Sequence, residues 1–525
     1  MPLPTGDMAW PPPSLDGIAE PMRQWSAWYA GDPAALREVY ARDVTRPATR
    51  PAQYAGGVVG AAARLFWGKP VTPGQSAQQL HVPLAADICQ ASADLLFSEP
   101  PTLTVDGQGA QERLDAIADD GLHATLAEGA EVAAALGSVY LRVTWDEGLR
   151  DAPFLTTVHA DAVVPTFRWG QLVAATIWHR VRTDGQIVWR HLERHELATN
   201  GTGLVLHGLY QGTEDKLGRP VPLAESPTTE GLAALVDADG AISTASPGLA
   251  LVHIPNQRPH RRWRTHPLGS NLGRSDLDGV EGFMDALDEA WTSWMRDLRL
   301  AKARIIVPES MLTSHGPGLG TGFDLDREVF TPVTAMVDPS GVSASITPQQ
   351  FAIRVEEHAR TIAELTEAIL RSAGYSAQTF GEGQDGAAIT ATEVSARNDR
   401  SDSTRSRKIR HWRPGAGQAL TKLLAVDAAI FRTAMTPGAV DVAFSDGFQE
   451  SPLTLAQTAQ ALRAAQAAST RTLVQMQHAE WGEDEVLKEI ARIQAEGGMV
   501  VEDAETFGRG GEGVVIPGQA VDTGA

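Results

Sequence analysis

Between Asp276 and Arg304 apolar residues return at every third and fourth position: Leu277, Val280, Met284, Leu287, Trp291, Trp294 and Leu298. This is a heptad seam, and it predicts one long helix with a continuous packing stripe. At 1.5 Å per residue such a helix would be a rod of roughly 40 Å. Ser275 stands where a helix cap belongs and Asp278 at the capping-box position, while Gly279 and Gly282 weaken the first turns. A second helix is predicted over Pro348–Ser372. Thr347, Pro348 and Gln350 supply its cap, its first-turn proline and its box glutamine, and Phe351, Val355, Ile362, Leu365 and Ile369 its seam. Between the two helices, Ile305–Val307, Val329–Val333 and Val342–Ile346 surround Gly316–Gly322, the pattern of a small α/β or β module.

Ahead of this hairpin the pattern is helical first and period-two later. Leu15–Ala30, Pro33–Ala41, Asp87–Phe97 and Gln111–Gly137 read as helices, and Ala61–Trp67 is an apolar run. From Ser138 the alternation predicts strands at Val139–Trp145, Phe154–Val158, Leu172–Arg182, Gln186–Glu193 and Gly203–Tyr210. Pro220–Gly248 reads as loop and Leu249–Pro255 as a strand. Beyond the hairpin come the Gly-rich loop Gly374–Ala388 and a helix from Thr390, interrupted at Arg413-Pro414-Gly415 and resumed at Gln418–Thr433. A strand at Val440–Phe444 follows, then helices over Leu453–Gly498 with a break near Gly482, and a Gly-rich tail that reads as disordered. The expected class is α+β, and no internal repeat is present.

Composition narrows the picture only a little. A chain of 525 residues has room for several domains. It contains no apolar window long enough for a membrane span and no signal-peptide pattern at its start. The single cysteine, Cys89, excludes an internal disulfide and any cysteine metal cluster, and reads as a core residue of a chain in a reducing compartment. A net charge of −21 argues against a surface that grips nucleic acid everywhere, but it does not exclude one past which nucleic acid slides without sticking.

The candidate catalytic patterns all fall short. Gly381-Glu382-Gly383-Gln384-Asp385-Gly386 matches a dinucleotide fingerprint, but it follows a helix and carries two acids that would repel a pyrophosphate. Gly68-Lys69 is followed by proline, which excludes a phosphate-binding P-loop of the Walker type. His191, Glu193 and His195 share one face of a strand at the wrong spacing for a metalloprotease and read as a solvated face. His253, His260 and His266 are scattered, and Asp119-Asp120 and Asp276/Asp278 read as solvated or capping acids. No active site, cofactor site or metal site emerges. The helix from Thr390 is stranger. Arg397, Arg400 and Arg407 lie on one stripe with Thr404 and His411, and Arg405, Lys408, Arg410 and Arg413 widen it. Such a helix bridges solvent, pairs its charges with neighbouring elements or another subunit, or faces a polyanion.

The order of these parts resembles the portal (head-to-tail connector) proteins of tailed bacteriophages, in the siphophage-type branch. The resemblance rests on the early helix ADICQASADLLFSEPPTL, the β-rich segment after it, and the helix GRSDLDGVEGFMDALDEAWTSWMRDL. The small insert, the return helix PQQFAIRVEEHARTIAELTEAIL and AAITATEVSARNDRS complete it. It spans roughly residues 80–500; residues 1–50 and the C-terminal tail match nothing recognisable.

The resemblance implies a portal architecture. It would comprise an N-terminal segment (1–80), a wing of helices plus antiparallel sheet (81–273), stem helix 1 (274–304), a clip (305–347) and stem helix 2 (348–373). A tunnel loop (374–389), a long interrupted helix with a returning wing strand (390–450), a helical crown (451–505) and a tail (506–525) would follow. Portals form rings, typically dodecamers, at one capsid vertex, through which DNA is packaged and ejected. The implied partners are other copies of the chain, the terminase large subunit, a head-completion or adaptor protein, the major capsid or scaffolding protein, and double-stranded DNA, with no membrane. The implied location is the virion's portal vertex, and host cytoplasm during assembly. Glu382 and Asp385 would then lie nearest the DNA, any cationic ring would come from Arg397, Arg400 and Arg407, and Leu277 to Leu298 would form stem packing. Twelve copies of so acidic a chain would present walls that keep DNA mobile. The alternative reading is a nucleic-acid-processing enzyme or capsid-associated hydrolase with an unrecognised site; an intracellular scaffold built on the hairpin is a third.

Overall fold

The computed structural model describes residues 3–4, 6–43, 80–146, 148–300, 304–306, 313–314, 321–322, 347–349, 354–381, 391–445, 452–478, 482 and 485–495. The chain divides into two units, Met1–Ser445 and Asp446–Ala525. The first is α+β. Its helices α1 (Ala19–Ala30), α2 (Pro33–Asp43), α3 (Leu84–Phe97), α4 (Ala110–Ile117) and α5 (His123–Leu136) precede most of the strands. Strand β1 (Thr102–Val105) lies between α3 and α4.

The sheets are antiparallel. Strand β2 (Ser138–Thr144) pairs with β3 (Phe154–His159). An antiparallel meander follows, of β4 (Val163–Arg168), β5 (Gln171–Asp184), β6 (Ile187–Leu197), β7 (Thr202–Thr213) and β8 (Lys216–Val221). Strand β9 (Ala241–Pro247) shares the outer edge of β7 with β8, so both β8 and β9 emerge from segments the pattern had assigned wholly or partly to loop. Short polar strands with Gly and Pro at their ends carry little alternation, which is why periodicity alone misses them. Strand β10 (Leu251–Pro255) pairs with the other edge of β2.

The hairpin helices are α6 (Glu281–Leu300) and α7 (Val355–Ala373), each shorter at its start than the seam suggests. Gly279 sits at φ +91°, a left-handed conformation that glycine adopts freely, so the chain turns there and α6 begins at Glu281 rather than Asp276. Thr347, Pro348 and Gln349 do not open α7. They form β14 (Thr347–Gln349), which pairs with β11 (Arg304–Ile306) and closes the mouth of the insert. Inside it, β12 (Thr313–Ser314) pairs with β13 (Thr321–Gly322); the rest of the insert, Ala61–Trp67 and Phe351 lie outside the described residues.

Helix α8 (Ala391–Ile430) runs unbroken through Arg413-Pro414-Gly415, against the expected interruption. Proline forfeits one backbone hydrogen bond, but Trp412, Ala416, Ala419, Leu420, Leu423 and Leu424 on either side are fully buried and hold the helix. Gly415 and Gly417 are close-approach positions rather than breakers. A Cβ on Gly415 would stand 2.6 Å from Ile254 Cγ1, and one on Gly417 2.8 Å from the Val440 carbonyl. Strand β15 (Val440–Ala443) follows and pairs with β1.

One core gathers α1, α3, α5, α8, β2 and the base of the hairpin, with Cys89 buried inside it. A smaller cluster of Trp10, Leu192, Tyr210 and Leu217 covers the meander, where the N-terminal segment docks through Trp10 N to Asp215 O (2.9 Å) and Leu217 N to Met8 O (2.9 Å). In the second unit α9 (Pro452–Ala464), α10 (Thr470–Gln477) and a helix at 485–495 add a break at 465–469, with Ser469 capping α10 through Thr472 N. Among the described residues no helix is long and apolar enough to cross a membrane.

Candidate functional site at the base of the helical hairpin

Asp276, expected to be a solvated or capping acid, is instead 2% exposed at the centre of a polar junction. Its Oδ1 accepts from Asn256 Nδ2 at 2.8 Å and Gln257 Nε2 at 2.9 Å, both just after β10. Its Oδ2 accepts from the Tyr375 hydroxyl at 2.6 Å, in the turn after α7, and from Lys408 Nζ in the middle of α8. Lys408 also donates to Ser92 Oγ of α3 and to the Tyr375 hydroxyl at 3.0 Å. Five segments far apart in sequence therefore converge on one buried ion pair. Burying charge is costly unless it is paired and its remaining hydrogen-bonding positions are filled, and here both conditions hold. Burial pulls the Lys408 ammonium below its usual range while Asp276 opposes that shift; burial and the Asp276 charge push the Tyr375 hydroxyl well up. Enclosed, with both Asp276 carboxylate oxygens and the Lys408 ammonium engaged, the junction is a clamp that presents no open face to a substrate among the described residues.

Ser275 supports the clamp from behind. Its hydroxyl donates to the Ala135 carbonyl (2.6 Å) and accepts from Leu277 N (3.0 Å), so it caps a turn against the end of α5 rather than the first turn of α6. Trp25 of α1 donates to Glu281 Oε1 at 2.9 Å, and Asp288 receives Val82 N at 2.9 Å and sits 2.9 Å from His81 Nδ1. The base of α6 is thereby tied to the body on several sides.

Along the hairpin the predicted seam grades from buried to open. Leu277, Val280, Met284 and Leu287 are buried, Trp291 and Trp294 half-buried, and Leu298 is 39% exposed. On α7 the gradient matches: Ile369 is buried, Leu365 and Ile362 half-buried and Val355 exposed. Near the open end Trp294 stacks on Trp291 and on His358, with ring centroids 5.3 and 6.0 Å apart. Asp297 there pairs with His358 (3.0 Å) and Arg354 (3.2 Å), which hold its carboxyl below the usual range, His358 foremost. Phe283 and Met295 are exposed beside this seam, so the hairpin presents apolar surface that its own chain leaves uncovered among the described residues.

The basic stripe on α8 divides in two. Arg405 and Lys408 turn inward, Arg405 donating to the carbonyls of Leu95 and Ser445 at 2.6 Å each. Thr404 is buried and donates to the Gly374 carbonyl at 2.6 Å, and His411 is half-buried, so neither shares an outward stripe with the arginines. Arg400, Arg407 and Arg410 are exposed; Arg407 and Arg410 line a groove of 530 Å³ with Asp399, Asp402, Ser403 and Ser406. Arg397 lies in α8, where only its backbone is described, and Glu382 and Asp385 fall outside the described residues. The start of their loop is fixed to α8: Ser376 N donates to Ser401 Oγ (3.0 Å), and the Thr379 and Ser401 hydroxyls meet at 2.7 Å.

His191, Glu193 and His195 do share one face of β6, but that face is buried, not solvated. Glu193 accepts from Arg142 (2.7 Å) and lies 2.7 Å from His195 Nε2, and His191 stacks on His207 with 5.3 Å between centroids. Burial alone would raise the Glu193 carboxyl, but His195 and Arg142 outweigh it and hold it well below the usual range. Burial, reinforced by His207, lowers His191 to about 4, and burial lowers His179 and His207 as well. An unfolded histidine titrates near 6.5, so below that pH the unfolded chain binds more protons than the folded one. Stability is thus expected to fall as pH drops from about 6.5 towards 4, and His191→Asn to flatten the slope in urea titrations repeated across that range. An unchanged slope would show that His191 does not titrate differently in the two states. Among the described residues no cluster of histidine, cysteine and acidic groups is arranged to hold a metal ion.

The sequence signals for the clamp were weak. Asp276 occupies a position that looks like a helix start, and its partner lies in a polar run 132 residues away.

Comparison with known proteins bears on the chain as a whole. No curated protein sequence matches it. Among solved structures, a chain of the "Neck of native GTA particle computed with C12 symmetry" is similar at 14% identity and a TM-score of 0.36, over 81% of this chain and 91% of that one. The family model described as "Phage portal protein, SPP1 Gp6-like" matches residues 22–503, and with that match the chain belongs to the SPP1 Gp6-like family of phage portal proteins.

Proposed function

We propose that this chain is the portal of a tailed phage, assembling as a ring, typically of twelve copies, at one capsid vertex and conducting DNA during packaging and ejection. The family match over residues 22–503 carries this reading. The hairpin supports it. A seam buried at its base and increasingly exposed towards Leu298 and Val355 suits helices that finish their packing against neighbouring copies. In this reading α6 and α7 are the stem, 305–347 is the clip that receives the terminase large subunit and later an adaptor, and 81–273 is the wing. Residues 374–389 are the tunnel loop, 390–450 hold the long helix and the wing strand that follows it, and 451–505 form the crown. Capsid or scaffolding protein meets the ring at the vertex. The role is structural, without catalysis.

We assign Arg400 and Arg407 to the channel because they stay exposed on α8, whereas Arg405, Lys408 and Lys422 turn inward and Arg413 pairs with Asp441. Arg400→Glu with Arg407→Glu is expected to leave thermal stability almost unchanged, as exposed substitutions usually shift it by no more than about 0.5 kcal/mol. Heads assembled with the double variant should contain several-fold less packaged DNA, since the reversed charges repel the duplex. Filled heads at the unaltered level would remove these arginines from the channel.

A further inference from the structure

Lys422 is a second buried lysine of α8, and among the described residues no acid pairs with it. Its Nζ lies within 3.0 Å of five oxygens from a single turn: Thr244 Oγ1 (3.0 Å), Ser246 O (3.0 Å), Ser246 Oγ (2.7 Å), Pro247 O (3.0 Å) and Gly248 O (2.9 Å). An ammonium has three protons, so this shell is larger than hydrogen bonding requires. The turn is wound tightly to achieve it, with φ +50° at Ala245 and +83° at Gly248. It is also braced from outside, where Thr244 Oγ1 donates to the Gly203 carbonyl (3.0 Å) and Gly248 N to the Gly201 carbonyl (3.1 Å). Oxygen lone pairs converging on one point repel unless a cation lies between them. Rings of carbonyl oxygens that replace a hydration shell are how proteins hold desolvated monovalent ions. With no carboxylate in the shell, a divalent ion, which favours charged oxygen ligands, is poorly served.

We propose that the 244–248 turn is a binding site for a desolvated monovalent cation of ammonium or potassium size, which the chain fills with its own Lys422 ammonium, and that this clamp fixes α8 to the β7–β9 edge of the meander. Burial pulls the Lys422 ammonium down to about 8, so it keeps its proton at neutral pH, and the five oxygens favour that charged form. Lys422 also lines a groove of 1190 Å³ between β10 and α8, with Arg258, His411, Arg413 and Asp441 among its walls. Shortening the side chain would open a route from that groove to the turn.

The test uses the full chain with Lys422→Ala and Lys422→Met. Thermal unfolding is followed in potassium, ammonium, sodium and choline chloride at equal ionic strength. The Lys422→Ala variant should unfold below the unaltered chain in choline and recover several degrees in potassium or ammonium, less in sodium. Lys422→Met fills the stem's volume without a charge and should be destabilised in every salt alike; the unaltered chain should show no ion preference. Absence of any ion preference in Lys422→Ala, or stability of Lys422→Met equal to the unaltered chain, would overturn the proposal. Should Lys422→Ala be insoluble, the comparison is made on soluble yield after refolding in each salt, where equal yields in potassium and choline would overturn it too.

Discussion

Asp276→Ala is expected to lower the unfolding free energy by about 3–5 kcal/mol, the usual cost of leaving one member of a buried ion pair without the other. Lys408 would remain enclosed with only the Ser92 and Tyr375 hydroxyls for company, and the Asn256 and Gln257 amides would each lose an acceptor. Lys408→Met should cost a similar amount, because the Asp276 carboxylate would then be the uncompensated charge. The double variant Asp276→Ala/Lys408→Met should cost clearly less than the sum of the single changes, since neighbours in one network couple by about 0.5–3 kcal/mol. Urea unfolding at fixed protein concentration reads all three, the fixed concentration being needed because assembly adds to apparent stability. Strict additivity would show that the two groups do not depend on one another.

The second large effect is expected at Trp412. Its indole is fully buried, meets Phe97 edge-on at 5.1 Å between centroids, and occupies the space left by Gly129 on α5, where an added Cβ would stand 3.3 Å from the ring. Trp412→Ala should cost about 3–5 kcal/mol through lost burial and the cavity left behind. Trp412→Phe should cost distinctly less, because the indole N–H is buried without a hydrogen-bond partner among the described residues and phenylalanine removes that polar atom. The midpoint in urea should shift while its slope stays constant, as for a change in stability alone. Equal losses for both variants would mean that shape at this position, rather than burial, sets the cost.

These two sites show where the sequence is transparent and where it is opaque. Elements with strong periodicity were legible: the helix ending at Phe97, the strands from Ser138 to Tyr210, and both hairpin helices. Their ends were less so. A single left-handed residue, Gly279, moves the start of α6 five residues on, and a three-residue pairing of Arg304–Ile306 with Thr347–Gln349 converts an apparent helix cap into a strand. Pro414 and Gly415 looked like a break because local propensity opposes a helix there. Burial of Trp412 and Leu420 on either side, and the close approach of Ile254 to Gly415, override it.

Buried polar groups were the least legible feature. Asp276, Glu193, His191 and Lys422 sit in sequence contexts that normally mean solvent, and only three-dimensional pairing turns them inward. Hydrophobic pattern cannot announce a partner more than a hundred residues away. The exposed arginines of α8 were the converse case. Their chemistry was plain in the sequence, but separating Arg400 and Arg407 from the inward-facing Arg405 and Lys408 required the packing of α8 against α3 and β15.

As the proposed portal, this chain works as a closed ring around a DNA-conducting channel. Electron-microscope images of the purified full-length protein at micromolar concentration test it most directly. The prediction is annular particles with a central hole. A stable, homogeneous monomer under the same conditions would contradict it.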